Sequence, residues 1–73
     1  MKLYWACGRY IDSNGKIDRL FTYNASTSEA KARGVIRCWA VDYGFNITKA
    51  WIDVYQNGKK IEVIPVALED CLV

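Results

Sequence analysis

The sequence predicts an α+β domain, a two-layer sandwich in which one helix packs on one face of a four-stranded antiparallel sheet. Two Asn-Gly pairs, Asn14-Gly15 and Asn57-Gly58, each lie between runs rich in aromatic and β-branched residues, a pattern typical of β-hairpins. A helix start signal lies between the two hairpins. The element order is therefore β-β-α-β-β, and a chain that returns beside its first strand gives the strand order 2-1-3-4.

The first hairpin is predicted from residues 2–11 and 16–25. Asn14-Gly15 favours a two-residue type I′ turn, which pairs Gly8 with Phe21. Small residues leave room for a helix, so the face expected beneath it contains Tyr4, Ala6, Gly8, Phe21, Tyr23 and Ala25. The opposite face of this hairpin contains Leu3, Trp5, Cys7, Arg9, Leu20 and Thr22.

The helix is predicted over residues 27–43. Ser26-Thr27-Ser28-Glu29 has the form of a capping box with Ser26 as the N-cap, and Gly44 favours a helix stop. The helix has two apolar stripes, and the sequence leaves open which of them is buried. The stripe of small residues contains Ala30, Gly34, Cys38 and Val41, and the bulkier stripe contains Ala32, Val35, Ile36, Trp39, Ala40 and Tyr43.

The second hairpin is predicted from residues 47–56 and 59–66, with Pro65 placing its last strand at a sheet edge. A two-residue turn at Asn57-Gly58 favours burial of Ala50, Ile52, Val54, Ile61 and Val63. The other face then contains Lys49, Trp51, Asp53, Tyr55, Lys60, Glu62 and Ile64. In this register Asp53 and Glu62 lie directly opposite each other, and such a pair needs a nearby cation such as Lys60 or Lys49.

Length and composition indicate one globular domain covering residues 1–73. The chain has 73 residues, of which 52% are hydrophobic and 25% charged, a balance typical of a folded protein with a single core. The net charge of +2 is smaller than the basic excess of most dedicated nucleic-acid binders. It also excludes a strongly acidic mimic of nucleic acid.

The sequence favours a cytoplasmic location without contact to a membrane. No apolar stretch approaches the length of a membrane span, and a charged residue interrupts the first residues before a signal-peptide core is complete. Cys7, Cys38 and Cys71 are odd in number and widely spaced, which favours free thiols in a reducing compartment.

The residue types needed for catalysis are scarce, so we expect no enzymatic activity, no metal and no cofactor. The chain contains no histidine, and its three cysteines lack the spacing of a zinc site. Ser13, Ser26 and Ser28 lie at a turn and a helix start, where bonding to the backbone explains them. The five glycines are isolated and form no phosphate-binding loop.

Aromatic and basic residues are predicted to share the sheet face opposite the helix. The candidate partner-binding residues are Trp5, Arg9, Lys49, Trp51, Tyr55 and Lys60. Three interpretations are open: a protein-binding hot spot, a surface that stacks single-stranded RNA, or a face covered by the C-terminal segment 67–73. The expected partner is a protein or nucleoprotein complex, with nucleic acid as the alternative, and a homodimer would use the same patch twice.

The central run NASTSEAKARGVIRCWAVDYGFN, with a strand on either side, resembles a pattern of small phage and mobile-element proteins. In these proteins a strand ends in Ala, a Ser/Thr-Ser-Glu-Ala start opens the helix, and Gly with a hydrophobic residue closes it. The arrangement is similar to that of some small anti-CRISPR inhibitors of β-β-α-β-β order. The resemblance implies an inhibitor that occupies the surface of a host CRISPR-Cas complex in the host cytoplasm, and it carries over no individual site residue.

Overall fold

The sheet contains four antiparallel strands in the order β2-β1-β3-β4, and one face of it packs against a helix. A computed structural model describes residues 1–71, apart from the side chains of Asp70 and Cys71. The elements are β1 (Lys2–Ile11), β2 (Ile17–Phe21), α1 (Glu29–Arg37), a π-helical turn (Cys38–Asp42), β3 (Asn46–Gln56), β4 (Lys59–Val66) and α2 (Leu68–Cys71). The predicted α+β fold, strand order and edge position of Pro65 are confirmed.

The core lies between the sheet and the bulkier stripe of the helix. Ala32, Ile36 and Trp39 are buried there, whereas Gly34 and Val41 of the small-residue stripe are exposed. A Cβ added at Gly8 would lie 3.1 Å from the carbonyl oxygen of Lys49 and 3.7 Å from the Trp39 ring. Gly8 therefore provides the space predicted for the helix side, and Trp39 fills it.

The helix begins two residues later than predicted, because the backbone of Ser26 is used elsewhere. Ser26 forms an isolated bridge with β1, donating its N–H to the Tyr4 carbonyl at 2.8 Å and accepting from the Tyr4 N–H at 2.9 Å. Ser28 is the N-cap instead and accepts from the Lys31 N–H at 3.2 Å. Gly44, with φ of 68°, follows the π-helical turn and stops the helix as predicted.

The first hairpin closes in a longer loop than predicted, and this shifts its register by one residue. Asp12 donates its N–H to the Lys16 carbonyl at 2.8 Å, and only Gly15 in the loop has positive φ. These are the features of a three-residue loop with a glycine bulge. Gly8 consequently pairs with Leu20, not Phe21, so Leu20 packs against the core and the prediction of Phe21 beneath the helix is wrong.

The second hairpin has the predicted turn but changes register farther along. Asn57 and Gly58 both have positive φ, as a type I′ turn requires. The register shifts between Val54 and Tyr55, and beyond this irregularity Ile64 and Val66 pair with the core residues Ile52 and Ala50. The predicted burial is wrong for two residues, because Ile61 and Val63 are 46% and 51% exposed.

The described part of the C-terminal segment packs on the helix side of the sheet. Helix α2 contacts α1, and Leu68 packs against the core. The interpretation in which this segment covers the opposite face is therefore wrong for residues 67–71, while Leu72 and Val73 lie outside the described residues. Within residues 1–71, no helix has the length and apolar character needed to cross a membrane.

Candidate functional site

The sheet face opposite α1, here called the open face, brings the predicted site residues together. In the β1–β3 register, Leu3 lies opposite Tyr55, Trp5 opposite Asp53, Cys7 opposite Trp51 and Arg9 opposite Lys49. Lys60 of β4 belongs to the same surface, because its Nζ lies 3.7 Å from the Asp53 Oδ2. The open face thus holds all the partner-binding residues predicted from the sequence.

An aromatic groove with a volume of about 570 Å³ occupies one end of the open face. Two of its aromatic side chains are strongly exposed, Phe21 at 60% and Tyr23 at 90%, and their rings meet edge to face with centroids 6.1 Å apart. The groove is lined by Leu3, Trp5, Cys7, Phe21, Thr22, Tyr23, Asp53, Tyr55, Asn57 and Gly58. It is an open, largely apolar surface at the end of the sheet where β1 begins and β3 ends.

Phe21 and Tyr23 were missed as site residues because the sequence prediction used the wrong turn. The carboxylate of Asp12 accepts hydrogen bonds from the N–H groups of Asn14 and Lys16, at 2.8 and 2.9 Å, and so stabilises the longer loop. An Asp placed two residues before Asn-Gly was the available signal. It would have moved both aromatic residues to the open face.

Asp53 is the one carboxylate among the residues that line the groove. Its side chain is 16% exposed, and Oδ2 accepts a hydrogen bond from the Cys7 thiol at 3.6 Å. Oδ1 is buried without a hydrogen-bond partner among the described residues. The register places Val63 opposite Asp53 and Glu62 opposite Val54, so the predicted pairing of Asp53 with Glu62 is wrong. Lys60 supplies the nearby cation that Asp53 needs.

The surroundings of Cys7 keep its thiol protonated. Burial first, and then the neighbouring Asp53 carboxylate, raise the pKa of Cys7 to about 11. A thiol with this pKa is a poor nucleophile at neutral pH, because the thiolate is the reactive form. Cys7 and Cys38 are free thiols, as predicted, and the side chain of Cys71 lies outside the described residues.

The other end of the open face contains three cations in one row. Arg9 of β1 lies directly opposite Arg19 of β2 on one side and Lys49 of β3 on the other, and all three are exposed. We call these residues the cationic row. None of them forms an ion pair with another described residue. Arg19 was absent from the predicted site because the assumed turn paired it differently.

A small pocket joins the cationic row to the aromatic groove. It has a volume of about 200 Å³ and is lined by Cys7, Gly8, Arg9, Arg19, Leu20, Phe21 and Trp51. Phe21 and Cys7 line the groove as well, so the two regions are continuous. Lys49 Nζ lies 5.7 Å from the centroid of a Trp51 ring, which is within the range of a cation–π interaction.

The side chains of the open face offer apolar packing, positive charge and hydrogen bonding. Among the side chains that the structure describes, which exclude those of residues 70–73, no three Cys, Asp or Glu side chains stand close enough together to hold a metal ion. Comparisons with protein families, curated proteins and solved structures give no match for this chain.

Proposed function

We propose that this chain is a non-enzymatic protein-binding module and that the open face is its contact surface. The observation that carries the proposal is the aromatic groove, in which Phe21 and Tyr23 remain 60% and 90% exposed beside Trp5 and Tyr55. Contiguous apolar patches of this kind on a folded domain mark interaction sites. Aromatic residues are also those that dominate the binding energy of protein interfaces.

The rest of the open face supports a protein partner. Trp5, Trp51 and Tyr55 are half-buried and backed by the sheet, so their side chains are held in place before binding. Such preorganisation lowers the ordering cost of association. The groove is shallow and open along the sheet, a shape that suits side chains from another protein surface.

The narrower function implied by the resemblance is inhibition of a CRISPR-Cas complex. This narrower function rests on the shared β-β-α-β-β order. The open face supports it only in that it offers a surface capable of protein contact. Expression of the chain in bacteria with an active CRISPR system tests it, since an inhibitor restores plaque formation by a targeted phage. Unchanged interference with every CRISPR type tested contradicts the narrower function and leaves the binding module standing.

A random peptide library displayed on phage tests the binding module directly. The immobilised protein should enrich peptides with an apolar or aromatic anchor. Substitution of both groove aromatics, Phe21→Ala with Tyr23→Ala, should weaken binding of the selected peptides about tenfold or more. Tyr43→Ala is the matched control, because Tyr43 is also an exposed aromatic residue, at 69%, and does not line the groove. An equal loss of peptide affinity in the groove variant and in Tyr43→Ala, or no enrichment of peptides by the wild-type protein, would contradict the proposal.

Binding of single-stranded RNA is a second candidate, favoured by the cationic row beside Trp51. The two candidates differ in their response to salt. Affinity for RNA should fall steeply with rising salt, because phosphate contacts release counterions, whereas binding through the apolar groove should change little. Gel shifts with random RNA and DNA at several salt concentrations measure the difference.

A further inference from the structure

The cationic row is an unfavourable arrangement for the free protein. Residues directly opposite on one face of an antiparallel pair lie about 5 Å apart, and like charges at these positions destabilise the sheet. Arg9 has a cation opposite it on both neighbouring strands, Arg19 and Lys49. No described carboxylate pairs with any of the three. The charges would be balanced by an anion brought by a ligand.

The position of the row relative to the groove constrains that ligand. The three strands place the charges within about 10 Å, two strand spacings. Along β1, Arg9 lies four residues from Trp5, which corresponds to about 13 Å. Phe21 lines both the groove and the pocket beside Arg9 and Arg19, so a continuous apolar surface connects the two ends.

We propose that the open face binds an acidic segment of a partner protein. Carboxylates of Asp or Glu contact the cationic row, and a neutral apolar or aromatic anchor about four residues away in an extended segment occupies the aromatic groove. This inference rests on the proposed protein-binding function and specifies the chemistry of its partner.

The distribution of charge favours an acidic peptide over a nucleic acid. The row is cationic, but the groove contains the carboxylate of Asp53. A polynucleotide carries a negative charge at every nucleotide, but no cation is among the residues that line the groove, and Lys60 beside it already pairs with Asp53, so a strand continuing from the row would meet no free counter-charge there. A peptide can place acidic residues at the row and a neutral residue at the groove. In addition, the Lys49 ammonium already lies over a Trp51 ring, where a base would have to stack.

The test is a selection from random dodecapeptides displayed on phage, performed on four forms of the full chain. Wild type should enrich peptides with Asp or Glu about four residues from a large apolar residue. The variant Arg9→Glu with Arg19→Glu should enrich Lys or Arg at that spacing and keep the apolar anchor. The control Lys31→Glu with Arg37→Glu changes the net charge equally on exposed helix residues and should keep the wild-type motif. The variant Phe21→Ala with Tyr23→Ala should no longer select peptides with a large apolar anchor residue.

Affinities complete the test. The strongest wild-type peptide, made synthetically with a fluorescent label, should bind the Arg9→Glu, Arg19→Glu variant at least about tenfold more weakly, and the control variant equally. If the wild-type protein enriches peptides with an apolar anchor but without a preference for Asp or Glu, this inference is wrong and the proposed binding module still stands. No enrichment at all would overturn both. Displacement of the peptide by oligouridylate or oligothymidylate of equal length, at lower concentration than unlabelled peptide, would overturn the inference in favour of nucleic acid.

Discussion

The two faces of the sheet are made by alternate residues of the same strands, yet they differ in almost every physical property. On the face covered by α1, Ile52 and Val54 have no exposed surface. On the open face, the neighbouring Trp51, Asp53 and Tyr55 are partly exposed, with a carboxylate and nearby cations among aromatic rings. The covered face supplies the buried core, and the open face is the contact surface that we propose. Substitutions on the covered face should therefore change mainly the stability of the fold, and substitutions on the open face should change it much less.

The largest effect on stability is expected from a buried residue of the covered face. Ile52→Ala should lower the free energy of unfolding by about 2–5 kcal/mol, because it removes a fully buried side chain and leaves a cavity. Ile61→Ala is the control, since Ile61 is 46% exposed on the edge strand, and should cost less than about 1 kcal/mol. Urea denaturation measures both. Similar losses would show that the covered face does not dominate stability.

A smaller but still clear effect is expected where helix and sheet approach most closely. Gly8→Val should cost about 1–3 kcal/mol, because a side chain there meets the Lys49 carbonyl and the Trp39 ring. Gly34→Ala should have the opposite sign and stabilise by about 0.5–1 kcal/mol, since Gly34 lies within α1 with open space around it. Thermal melts compare the two variants. A stable Gly8→Val protein would mean that Trp39 packs elsewhere.

The smallest effect is expected on the open face, and it should be a gain. Arg9→Gln removes the middle charge of the cationic row and should stabilise the free protein by about 0.2–1 kcal/mol, most strongly at low salt. Arg37→Gln should give no gain, because Arg37 lies in the last turn of α1 where a cation is favourable. Denaturation at low and high salt measures the difference. Loss of stability in Arg9→Gln would contradict an uncompensated row.

The fold was predictable from the sequence because turn and helix signals agreed with one another. Asn57 and Gly58 form the predicted turn, and Gly44 stops the helix. The details of the site were less predictable, since they depend on register. Asn14-Gly15 also fits a longer loop, and the choice between loops is made by hydrogen bonds to the Asp12 carboxylate. The irregularity beside Tyr55 has no sequence signal that we recognise, and it reverses the faces of Glu62, Val63 and Ile64 relative to β3.

The length of the loop between β1 and β2 determines which side chains of β2 face the helix and which lie on the open face. Removing one residue from the loop would exchange Leu20 and Phe21 between the faces, as the pairing of Gly8 with Leu20 shows. Both residues are apolar, and Arg19 would leave the open face together with Phe21. The deletion of one codon could thus change which residues of β2 lie on the proposed contact surface, without any amino-acid substitution. Length variation in this loop would then be a better guide to altered partners among descendants than substitutions on the surface itself.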